Sequence, residues 1–157
     1  MSRKERTEMS FKKILVPTDG SEFTKYAVDI AIELALLSGG KVTAVYVLDK
    51  TVYASSPMDA SLVNVYDALE KEGTTATSYV AERAKAAGVD AEEKLIEGTP
   101  SKVILQEADA GGYDVIVMGS LGRTGISKLL MGSVAEKIVQ NAKCPVLVAK
   151  SPIVTKD

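Results

Sequence analysis

Histidine is absent from the sequence, and only one cysteine occurs among its 157 residues. Without histidine, the side chain that most often serves as a general base near neutral pH is missing. A single cysteine, Cys144, excludes an internal disulfide and fits a reducing cytoplasm. An excess of positive charge is also absent: 19 Lys and Arg stand against 21 Asp and Glu, a net charge of −2. No broad basic face follows, and nucleic acid is not an expected partner. No apolar run approaches the ~18–20 residues of a membrane span. The opening "MSRKERTEMS" carries charge without an apolar core, which is not the pattern of a secretory signal.

What is present is an ordinary globular composition, 46% hydrophobic and 25% charged. It reads as one domain over residues 11–151, between a polar tail over 1–10 and a short tail over 152–157. Brief β-rich apolar runs alternate with helical periodicity. Ile14 to Val16 form a strand stopped by Pro17. Phe23, Ala27, Ile30, Ala31, Leu34 and Ala35 then mark one face of a helix. Ser21 is placed to cap that helix, and Gly39-Gly40 to end it in a left-handed turn.

"KVTAVYVLD" is a second strand and "KTVYASSPMDAS" a loop. The span from about Leu62 to Ala87 is helical, weakened in its middle by Gly73 and the Thr74-Thr75 pair. "VDAEEKLIEG" is a less apolar strand, as expected near an edge. Thr99-Pro100 then opens a helix as cap and first residue. "YDVIVMGS" is the most apolar strand, "SVAEKIVQNAK" the last helix and "CPVLVAK" the last strand. Strands alternating with helices predict an α/β fold with a parallel sheet covered on both faces.

In such sheets ligands bind beyond the carboxyl ends of the strands, where the winding reverses. Two segments qualify: "PTDGS" after the first strand and "MGSLGRTGISKLLMGSV" after the fourth. In the second, Gly119, Gly122 and Gly132-Ser133 are spaced to let the backbone take left-handed angles and to admit a close ligand. Their N–H groups can form an anion nest, continued by the start of the last helix at Gly132, Ser133 and Val134. Ser133 can cap that helix or bond a phosphate oxygen. The loop lacks the Gly-Lys-Ser/Thr ending of a P-loop. "SGG" at 38–40 lacks the Asp-Ser of a pyrophosphatase loop and is a helix end.

The pattern Gly-x2-Gly-x9-Gly-Ser between "VIVMG" and "SVAEKIV" resembles the ATP-binding motif of the universal stress protein family. "KKILVPTDGSEFTKYAV" and "CPVLVAK" resemble that family too, so the likeness spans roughly residues 11 to 150. The resemblance implies a flavodoxin-like doubly wound sheet in the order 3-2-1-4-5, a bound ATP and a homodimer. By position, Asp19 would accept hydrogen bonds from the ribose, presented by Pro17 and Thr18. Val47 would meet adenine through its backbone. Met118 and Gly119 would lie against sugar and phosphates, and Gly122, Gly132, Ser133 and Val134 would surround the phosphates.

Bland alternatives stand beside these roles. Asp19-Gly20 is a common turn pair, and on local sequence alone Asp19 bonds only its own backbone. Arg123 and Lys128 can reach phosphate or remain solvated. Met58 and "TVYASSP" can form a lid or a plain surface loop. Cys144 is a packed residue rather than a nucleophile. With no histidine, no P-loop lysine and no second acid beside the loop, the expected activity is a nucleotide-binding switch with slow or partner-dependent hydrolysis at most. Mg²⁺ or Mn²⁺ would be held mainly by phosphate oxygens and water. The other readings are a dimeric scaffold with nucleotide as a structural ligand, and a weak ATPase. The last strand, Pro145 to Ala149, is a candidate edge for antiparallel pairing of two protomers.

Overall fold

Strand β1 (Lys13–Pro17) lies at the centre of a five-stranded parallel sheet in the order β3-β2-β1-β4-β5. The computed structural model describes residues 9–49, 51, 60–122 and 131–152. Around β1 stand α1 (Glu22–Ser38), β2 (Lys41–Asp49), α2 (Ala60–Ala86) and β3 (Ala91–Gly98). The polypeptide then crosses back through α3 (Pro100–Ala110) to β4 (Val115–Gly119), α4 (Ser133–Asn141) and β5 (Val146–Ala149). The predicted α/β class and strand order are those observed. The less apolar β3 is indeed an edge strand.

Two cores result, one on each face, because successive strand residues point to opposite sides. Ile14, Val16, Val42, Ala44, Val115 and Val117 pack beneath α1 and α2. Leu15, Val45, Ile116 and Met118 pack beneath α3 and α4 with Ile104 and Ile138. Ile14, Leu15, Ile116 and Ile138 are wholly buried, each contributing about 1.5–3 kcal/mol relative to exposure. All five residues of β4 are buried, as its unbroken apolar run predicts.

The helix ends refine the sequence reading. Gly39 caps α1 in the left-handed region at φ 70°, its N–H bonded to Ala35 O. Ser21 and Thr99 hold the expected N-cap positions, but neither side chain makes a capping hydrogen bond. The N-cap of α4 is Gly132, and Ser133 is the first helical residue. Capping by Ser133 is therefore set aside: it is already helical, and the position from which a side chain accepts from the second or third helical N–H is held by Gly132.

Candidate functional site

The winding reverses between β1 and β4, and there a cleft of about 450 Å³ opens at the carboxyl ends of the strands. Proline explains part of the opening. Lys13 O accepts from Asp114 N, whereas Thr18 N donates to Val45 O. Odd residues of β1 therefore address β4 and even ones address β2, by the alternation of strand hydrogen bonding. Pro17 is an odd position and has no N–H to give β4. The β1–β4 register indeed ends at Leu15↔Ile116, before that residue is reached.

On the other side β2 outruns β1. Their register ends at Pro17↔Val45, yet β2 continues to Asp49. Val42 N donates to Asp90 O toward β3, and Val45 O accepts from Thr18 toward β1. By the same alternation the N–H and C=O of Val47 point to the β1 side, where that ladder has already ended. The backbone of Val47 thus presents one donor and one acceptor, side by side, to the cleft.

The turn after β1 is held by its own side chains. Thr18 Oγ1 accepts from Gly20 N at 3.1 Å, and Asp19 Oδ1 accepts from Ser21 N at 2.9 Å. The Thr24 hydroxyl, in the first turn of α1, lies 3.4 Å from Asp19 Oδ1 and 3.3 Å from Thr18 Oγ1. Gly20 takes φ 80°, which an L side chain rarely adopts. Asp19 therefore does bond its own backbone, as its local sequence suggests. It does so while lining the cleft together with Pro17 and Thr18.

Opposite the turn stand Met118 and Gly119 at the end of β4, then Gly122, and then Gly132, Ser133 and Val134 entering α4. The first backbone bond of α4 runs from Glu136 N to Gly132 O. The N–H groups before Glu136 have no intrahelical partner and carry the positive end of the helix dipole. The glycines of this loop act differently from the sequence expectation. None of Gly119, Gly122 and Gly132 has positive φ. Clearance explains two of them: a β-carbon on Gly119 would lie 3.0 Å from the backbone oxygen of Phe23 and one on Gly122 2.9 Å from Asp19 Oδ2, whereas one on Gly132 would make only ordinary contact, 3.4 Å from Ser120 O.

Ten of the predicted residues, all but Arg123, thus line one cleft. Arg123 and Lys128 lie outside the described residues, as do Met58 and the "TVYASSP" segment. The sequence reading missed Tyr46 and Asp49 of β2, Leu69 of α2, and Pro100 and Ile104 of α3, which also line the cleft. The available signal was topological: every helix that follows a strand in a doubly wound sheet begins at this end. Asp49 Oδ1 accepts from both the N–H and the hydroxyl of Thr51, at 2.9 and 2.8 Å.

Cys144 lies elsewhere, in a hollow of about 420 Å³ near the start of β4 with Tyr113 and Asp109. Burial pushes its thiol above the ordinary value of 9.0, the reverse of an activated nucleophile. Among the described residues no three His, Cys, Asp or Glu side chains gather as a metal site. No helix among them is long and apolar enough to cross a membrane.

Fold and cleft together define a doubly wound, flavodoxin-like α/β protein. The sequence profile of the Universal stress protein family matches residues 10–150, and the chain belongs to that family. It is 39% identical to Universal stress protein MJ0531 of Methanocaldococcus jannaschii over 145 residues, 92% of this chain and 85% of the relative. It is 31% identical to Universal stress protein YxiE of Bacillus subtilis, covering 89% of this protein and 99% of that one. Among solved structures, protein MJ0577 of Methanocaldococcus jannaschii superposes with TM-score 0.82 at 28% identity, covering 92% and 99%. A universal stress protein solved in complex with cAMP superposes with TM-score 0.65 at 26% identity, covering 90% and 98%.

Proposed function

We propose that this cleft binds ATP and that the protein acts as a nucleotide-dependent switch. The observation that carries the reading is the pairing of two features across the gap left by β1. One is the Val47 backbone, facing the cleft with a donor and an acceptor. The other is the open N-terminus of α4 opposite the Asp19 turn. Adenine presents a donor, its N6 amino group, beside a ring-nitrogen acceptor, which complements the carbonyl and N–H of a backbone. The Asp19 carboxylate suits ribose hydroxyls as an acceptor. Helix N–H groups and glycine clearance suit phosphate oxygens. The cAMP complex of a related protein supports an adenine nucleotide in this fold.

Mg²⁺ or Mn²⁺ would be held mainly by phosphate oxygens and water, the Asp19 carboxylate being taken by the ribose. The protein's part is to bind and orient. With no histidine anywhere in the sequence, hydrolysis is slow or depends on a partner protein. The edge of β5, Pro145 to Ala149, unpaired among the described residues, supports a homodimer joined by antiparallel pairing. A cytoplasmic location accords with the lone half-buried cysteine.

The test is to denature the purified protein, identify any co-purifying nucleotide, and titrate the stripped protein with ATP by calorimetry. Saturable one-to-one binding that is lost in the Gly122→Val, Gly132→Val double variant is expected. A double variant that holds ATP as tightly as the parent overturns the reading.

A further inference from the structure

Gly73 stands in the middle of the 27-residue helix α2, buried, where glycine is the poorest ordinary helix former. Its place is explained by what lies against it. A β-carbon there would sit 2.6 Å from Tyr46 Cδ1, 3.1 Å from Tyr46 Cε1 and 3.1 Å from Leu95 Cδ2. Tyr46 is only 5% exposed and is packed among Leu48, Ala76, Leu69 and Leu95, and the open space beside it is the cleft that it also lines.

Nor is α2 free to lift, because its Val80 and Ala84 are wholly buried in the core beneath it. One turn on from Gly73, Ala76 Cβ lies 3.3 Å from where a β-carbon of Gly20 would stand, in the turn that presents Asp19. The helix is thus seated on both sides of the cleft. The remaining soft element is β2 beyond Val45, paired with β3 on one side and no longer with β1 on the other.

We propose that Gly73 is a positioning residue for nucleobase recognition: by leaving room for Tyr46 beneath α2, it sets the backbone of Val47, the next residue, against the base. This rests on the nucleotide-binding reading above. Filling the space at 73 pushes Tyr46, and with it the Val47 donor and acceptor, out of register with adenine. Guanine, which carries an acceptor where adenine carries its amino donor, does not use that pair in the same way.

The experiment is calorimetric titration of Gly73→Ala with ATP and with GTP, alongside thermal unfolding. ATP affinity is expected to fall about tenfold and GTP affinity less than about threefold, so preference for adenine shrinks. Thr74→Ala, on the exposed side of the same turn, leaves both unchanged. Tyr46→Val produces the same selective loss, and adding Gly73→Ala to it costs nothing more, because the ring that collides is gone. This cycle is readable even if Gly73→Ala alone folds poorly. Gly73→Ala binding ATP within about twofold of the parent, or losing ATP and GTP equally, overturns the proposal. If the parent binds no ATP, the nucleotide reading falls and takes this proposal with it; a parent that binds and a variant that matches it sink this proposal alone.

Discussion

A β-carbon placed on Gly122 would stand 2.9 Å from Oδ2 of Asp19. The two residues come from different loops, after β4 and after β1, and meet across the gap that β1 leaves. The glycine therefore does two things at once. It lets the loop after β4 approach the turn after β1, and it leaves the Asp19 carboxylate in place.

Gly122→Ala tests that relationship at the smallest scale. The new methyl must displace the carboxylate or the loop, so ATP affinity is expected to fall about tenfold, or ~1.4 kcal/mol. Stability should change little, because Gly122 has ordinary negative-side backbone angles and no core role. Calorimetry and thermal unfolding on the same sample check both halves. An affinity loss matched by a large drop in Tm would mean the loop had simply come apart.

Asp19→Asn separates the turn role of Asp19 from its ligand role. The amide oxygen can still accept from Ser21 N–H, which holds the turn at 2.9 Å. The charge is lost, and with it hydrogen bonds to a charged acceptor worth about 1.5–3 kcal/mol. The expected result is near-parental unfolding in the absence of nucleotide and ATP binding weakened about tenfold or more. Unchanged ATP affinity would remove Asp19 from the site and leave it a turn residue.

Glu107 and Lys94 supply a pH test remote from the cleft. Their salt bridge is 2.5 Å long, with the lysine side chain 40% and the glutamate 17% exposed. The hydrogen bond from Lys94 to Glu107 raises the lysine above its ordinary value of 10.5. A raised lysine stabilises the fold at pH values below that ordinary value, and the gain is lost as pH climbs through the raised one. Glu107→Gln should therefore be less stable than the parent by at most about 1 kcal/mol near pH 7, since the pair is part-exposed. The difference should close in strongly alkaline solution. Denaturant curves across the alkaline range read it directly, and a gap that persists undiminished there would assign the loss to packing instead.

Val148→Pro tests the proposed homodimer. Ile116 N donates to Pro145 O and Ser120 N to Ala149 O, so the odd residues of β5 face β4. The even residues, Val146 and Val148, turn their N–H groups outward. Proline at 148 therefore removes an outward donor and leaves the β4 ladder its bonds, which edge strands tolerate. A folded monomer by light scattering is the expected result. A variant that remains a dimer moves the interface to another face.

Much of this architecture was legible in one dimension. Short apolar runs bounded by Pro17, Gly39-Gly40 and Thr99-Pro100 announced the alternation of strand and helix, because burial on two faces demands unbroken β-rich runs. Glycine spacing around Gly119, Gly122 and Gly132 marked the loop. The reason for those glycines was not legible. Whether a glycine serves a left-handed turn or a close neighbour depends on what stands opposite, and Asp19 lies far upstream of Gly122 in the sequence. Gly73 shows the same limit more sharply: along the sequence it is only a flaw in a helix, while beneath it in space lies Tyr46.

The order of residues by itself determined the α/β class, the two apolar faces and the loops in which a ligand could be met, since these follow from local periodicity and backbone preference. Only the tertiary structure decided that β1 stops short beside the longer β2, that Val47 turns its backbone into that gap, and that Ser133 begins α4 instead of capping it. Those outcomes depend on strand register and on contacts between distant segments, and such contacts exist only once the sheet has assembled.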